Sequence, residues 1–66
     1  TMERDIVEKA IKSLQGGDFN CMPMVQFREP SYQFETATHN MVAKAGCKLE
    51  WKNTFRGGCW HLVPNA

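Results

Sequence analysis

The chain has almost no net charge, no CxxC pair, no apolar run longer than a few residues and no glycine-rich phosphate loop. Each absence removes a class of function. Eight Lys and Arg against seven Asp and Glu leave a formal charge of +1, which excludes the basic excess of a duplex-DNA binder with many phosphate contacts. Short apolar runs exclude a membrane-spanning helix. A GxSxG elbow and paired catalytic carboxylates are also missing, so the chain is read as a non-enzyme without a cofactor. The three cysteines, Cys21, Cys47 and Cys59, are odd in number, and their spacing gives no disulfide framework. They are read as reduced thiols of an intracellular protein, nuclear or cytoplasmic.

What is present describes one small domain. Sixty-six residues with 42% hydrophobic and 23% charged side chains support a single core, residues 1–66, expected to be a monomeric part of a longer protein. Ile6, Val7, Ala10, Ile11 and Leu14 recur at helical spacing, with Thr1 as cap, Glu3 and Asp5 near the positive helix end, and Gly16-Gly17 as the stop before a turn at Asp18. Arg4, Glu8 and Lys12 form a solvated ladder on the outer side. From Cys21 to Arg28 the pattern has period two, an edge strand because Pro23 lacks a ladder donor. Two registers are open. In the first, Val25 and Phe27 face the core and Met22 and Met24 point outward as an adaptable contact surface; in the second, both methionines fill the core.

Ser31 caps a second expected helix over Tyr32 to Ala45, with Phe34, Ala37, Thr38, Met41, Val42 and Ala45 inward and Gly46 after its end. Glu35 and His39 are one turn apart on its shoulder. Cys47, Leu49 and Trp51 alternate with Lys48, Glu50 and Lys52 as a strand. A turn of six residues, Asn53 to Gly58, leads to a last strand, Cys59 to Val63, stopped by Pro64. The expected fold is α+β, two helices packed on one face of a small three-stranded, mostly antiparallel sheet in the order α-β-α-β-β.

A zinc site can be drawn from Cys47, Cys59 and His61 with Cys21 or His39, but these ligands do not come in the close pairs that structural zinc uses, so no metal is expected. Cys59 and His61 share a strand face about 7 Å apart, too far for a nucleophile and its base. Lys44, Lys48, Lys52 and Arg56, interleaved with Trp51, Phe55 and Trp60, form the residue types of a single-strand stacking platform. Trp51 and Trp60 are expected in the core, Phe55 at the surface.

This order of elements, with His39 inside the second helix, Gly46 seven positions later and Cys47 in the apolar place after it, resembles the R-three-H domain, named for an arginine separated by three residues from a histidine. The resemblance implies two helices on a three-stranded sheet and binding of single-stranded DNA or RNA. Glu35 stands where that family has its arginine, and the basic glycine-containing hairpin is reduced to Arg56-Gly57-Gly58. The function expected is that of an accessory module for single-stranded nucleic acid, with weak, salt-dependent binding. His39 bonds to a phosphate or base, Lys44, Lys48 and Arg56 neutralise phosphates, and Phe55 stacks on a base. The alternative is a protein-interaction domain that has lost nucleic-acid binding and docks its partner on the edge strand through Met22 and Met24.

Overall fold

The computed structural model describes residues 2–17, 20–55 and 57–65, the side chain of Thr54 excepted. Thr1 as a cap, Asp18 in its turn and Arg56 as a phosphate ligand lie outside the described residues. Helix α1 spans Met2–Gly16, strand β1 Met22–Met24, helix α2 Thr36–Lys44, strand β2 Cys47–Thr54 and strand β3 Gly57–Pro64. The element order is the expected one, and the sheet is antiparallel throughout with β3 in the centre, β1-β3-β2.

Val7, Ala10, Ile11 and Leu14, set at helical spacing, are all buried against one sheet face. The register makes that face. Met22 lies beside Leu62 and Leu62 beside Leu49, while Met24, Trp60 and Trp51 form the next row. Val42 and Thr38 of α2 close the core from above β2. Val7 and Leu62 have no exposed surface, and burial of such a side chain contributes roughly 1.5–3 kcal/mol. On the opposite face the central strand still buries Cys59, His61 and Val63, between Pro23 on one side and the Lys48, Glu50 and Lys52 stems on the other. All three cysteines are free, and burial pushes the Cys47 thiol up, which keeps it protonated.

Three expectations are corrected. In β1 the outward placement of Met22 and Met24 fails: Met24 is 2% exposed, Met22 is half-buried, and Val25 is 51% exposed. Both parities of this segment are apolar, so the pattern leaves a one-residue slip open, and the slip inverts every side chain. Pairing ends at Met24, and a turn closed by Phe27 N–H to Met24 C=O, 2.9 Å, swings Phe27 back into the core. The strand is at an edge as expected, but its methionines offer no docking surface.

The second correction is the start of α2, four residues later than Ser31 and Tyr32 imply. Residues 32–35 are irregular, and Glu35 is the N-cap residue with an extended φ of −63° and ψ of 151°. The third is the hairpin. Strands β2 and β3 pair out to Thr54 and Gly57, so the connection is two residues long instead of six. Gly57 has φ +102°, a conformation that side chains rarely adopt and that a tight connection requires. Gly46, φ +73°, ends α2 as expected, with its N–H on the Ala43 carbonyl at 3.0 Å.

Candidate nucleic-acid interface

The surface of interest is set up by a carboxylate from the first helix. Glu3 accepts three hydrogen bonds: from the Tyr32 hydroxyl at 2.6 Å, from the Glu35 backbone N–H at 3.0 Å, and from the buried Thr38 hydroxyl. Helix α2 has no cap from its own N-cap side chain, so Glu3 holds its first turn from 32 residues away. Burial pushes the Glu3 carboxyl up, but the bonds from Thr38, Tyr32 and Glu35 outweigh it and hold the group below its ordinary 4.5. The same hydrogen bond, with burial and the negative charges of Glu3 and Glu35, raises Tyr32 above 10.0.

That anchor fixes a run of rings. Tyr32, Phe34 and Phe27 pack mutually with centroids 4.9–5.1 Å apart. Phe34 then meets Trp60 at 5.4 Å and 88° and His39 at 6.1 Å and 75°. Trp60 meets Trp51 across the hairpin at 5.9 Å and 77°, in the edge-to-face arrangement that ring quadrupoles favour. Two bonds stop the indoles from turning: Trp60 donates to the Glu29 carbonyl at 2.9 Å, and Trp51 donates to Asn53 Oδ1 at 3.2 Å.

Gly58 is what lets Trp51 lie down. A Cβ there would come within 2.9 Å of both the indole Cε2 and Asn53 Oδ1, with another indole carbon nearer still. Gly58→Ala is therefore expected to cost about 1–3 kcal/mol as an overpacking change. It should also alter the tryptophan emission, because Trp51 must leave its seat. Thermal denaturation and fluorescence check both effects; unchanged emission at unchanged stability would contradict the packing.

The structure separates the residues expected to act together. His39 is exposed on α2 at one end of the ring series. Phe55 is 94% exposed in the two-residue connection between β2 and β3, four positions after Trp51 in the chain. Lys44 is exposed in the last turn of α2, five residues from His39 and so roughly 140° round the helix. Lys48 and Lys52 fall on the far sheet face, with Lys48 Nζ 3.9 Å from Glu50 Oε2. Among the described residues, His39, Lys44 and Lys48 do not share one face. Trp51 and Trp60, expected in the core, are half-buried: Trp60 packs against the core cluster, and Trp51 meets it edge to face toward the hairpin end. Their shared parity with the core positions, together with glycine at position 58, was the signal in the sequence.

The expected 7 Å gap between Cys59 and His61 is also corrected, since their side chains converge to 3.8 Å between Sγ and Nδ1. Nδ1 also lies 3.1 Å from the Cys59 carbonyl, an atom that only accepts. With the ring proton on Nδ1 that nitrogen donates to the carbonyl, and with it on Nε2 it accepts from the thiol. The pair is a packed strand contact. Among the described residues no group of three or more His, Cys, Asp or Glu is placed to hold a metal ion. No family model matches the chain, and no curated protein and no solved structure matches it.

Proposed function

We propose that this domain binds single-stranded nucleic acid, RNA or DNA, by stacking bases on the aromatic surface between His39 and Phe55. The observation that carries the reading is the pair of half-buried indoles, Trp51 and Trp60, held in fixed orientation on a hairpin whose connection carries the 94% exposed Phe55. Exposed aromatic side chains are costly in a domain with this little core, and base faces are the ligand they fit without sequence preference. His39 supplies a ring nitrogen at the far end for a phosphate or a base edge. This role for His39 and the alternation of elements are what the R-three-H resemblance also implies.

The charge placement changes the expected character of binding. With Lys48 and Lys52 on the opposite sheet face and a carboxylate at Glu35, few cations among the described residues face the stacked strand. Stacking then leads the affinity, and its salt dependence is shallow. A single strand gives a log–log slope of about −0.7 per phosphate neutralised, so one or two contacts give a slope near −1. The test is a titration with a twelve-nucleotide single strand, read by quenching of the two tryptophans, and repeated with the same sequence as a duplex. Quenching by the single strand alone is expected. No change in emission at low salt would overturn the proposal.

A further inference from the structure

Strand β2 is an edge of eight residues, and among the described residues no other segment bonds to its outer side. Its hydrogen-bonding phase can be read from two contacts. Trp60 N–H points to the Phe27 carbonyl on the β1 side, and Asn65 N–H points to the Gly46 carbonyl on the β2 side. Odd residues of β3 therefore bond to β2, and the pairs Lys48–Val63, Glu50–His61 and Lys52–Cys59 carry the ladder. It follows that Leu49, Trp51 and Asn53 direct their N–H and C=O groups outward. A row of such groups is a template for another strand.

The side chains say which strand. On the sheet face away from the helices the edge reads Lys48, Glu50, Lys52. An antiparallel partner must also present odd residues, so only a few registers are open to a second copy of β2. Pairing Leu49 with Trp51 sets Glu50 against Glu50 and Lys48 against Lys52, and like charges directly opposite are unfavourable. Centring on Trp51 instead sets Glu50 against Lys52 of the other copy twice, at the closer, non-hydrogen-bonded spacing. It also overlaps residues 48–54, nearly the whole strand.

We infer that β2 is a self-association edge, on which a second copy of this chain adds its own β2 antiparallel about Trp51. The product is one six-stranded sheet in the order β1-β3-β2-β2-β3-β1. The two Trp51 rings sit side by side on the helix-covered face, and each copy's aromatic surface continues into the other. The inference does not rest on nucleic-acid binding, and its test contains none.

Sedimentation velocity of the whole chain under reducing conditions, from about 10 μM to 1 mM, reads the equilibrium directly. The mass is expected to rise with concentration toward twice 7.5 kDa. Glu50→Lys faces Lys52 of the other copy and should weaken association at least tenfold, whereas E50K/K52E recreates the pair in reverse and should restore it. A register centred on Leu49 would pair Lys48 with position 50, and the double variant would not rescue it. Amide exchange on the unsubstituted chain adds a reading free of folding artefacts: Leu49, Trp51 and Asn53 should slow as concentration rises. A monomer throughout, equal association by E50K, no rescue, or a dimer that leaves those amides fast would each overturn the inference.

Discussion

Replacing Glu3 by alanine is expected to cost the domain about 2 kcal/mol and to lower its melting temperature by roughly 10 °C. The size follows from what is left behind. The Thr38 hydroxyl is fully buried and donates to Glu3, and the Glu35 N–H at the start of α2 does the same. Without the carboxylate, a buried donor and a helix-terminal amide lose their acceptor together, each a loss of about 1 kcal/mol or more. For a chain of this length total stability is roughly 3–10 kcal/mol, so the loss is a large share. Glu3→Gln keeps an oxygen acceptor and should lose less.

Acid titration isolates the same carboxyl. Because Glu3 is held below 4.5 in the folded protein, its stabilising contribution is complete above that value and disappears as pH falls through the lower, folded pKa. Wild type should therefore lose stability more steeply than Glu3→Gln as pH falls below 4.5, measured by denaturant midpoint at each pH. Equal slopes for the two proteins would contradict the role given to Glu3. Tyr32 has the opposite sign: its pKa is raised, so its contribution is complete below 10.0 and is lost as pH rises through the folded value. Tyr32→Phe should remove that alkaline component.

Phe55→Ala is expected to weaken single-strand binding about tenfold while leaving the melting temperature within about 1 °C. Loss of one base–aromatic stack is worth about 1–3 kcal/mol, and tenfold corresponds to about 1.4 kcal/mol at the low end of that range. The ring is 94% exposed, so truncation removes little buried surface. The comparison that gives this prediction its edge is Lys48→Ala combined with Lys52→Ala. Both lysines lie on the opposite sheet face, and their loss should change affinity by less than about twofold in moderate salt. The reverse ranking, with the lysine pair dominant and Phe55 silent, would place the interface on the other face of the sheet.

The fold was legible in the sequence wherever one period dominated. Val7, Ala10, Ile11 and Leu14 defined a helix stripe, and Cys47, Leu49 and Trp51 against Lys48, Glu50 and Lys52 defined a strand face, because apolar and polar residues separate cleanly there. Between Cys21 and Phe27 apolar residues occupy both parities, so only the turn at Val25-Gln26 decides which side faces inward. The start of α2 was not local information at all, since its cap comes from Glu3 on another helix. The hairpin is hidden for a different reason: glycines at 57 and 58 look like loop, yet one serves the tight connection and the other seats Trp51.

The candidate surface was half legible. Exposure of Phe55 and of His39 followed from position, and strand parity already assigned Lys48 and Lys52 to the side away from Trp51. Basic residues near one another in sequence do not make one patch when strand parity splits them between faces. What no local pattern carries is the cross-strand contact of Trp51 with Trp60 or the reach of Phe34 to both Trp60 and His39, because each joins separate elements.

The most direct measurement of the binding proposal is a two-dimensional NMR titration of the reduced domain with a short single-stranded RNA, then DNA, at low and moderate salt. Shifts centred on the Trp51 and Trp60 indole N–H signals, Phe55 and His39, reduced only modestly at the higher salt, are the expected result. A spectrum that stays still at low salt, or shifts confined to Pro23, Lys48 and Lys52 on the far face, would contradict it.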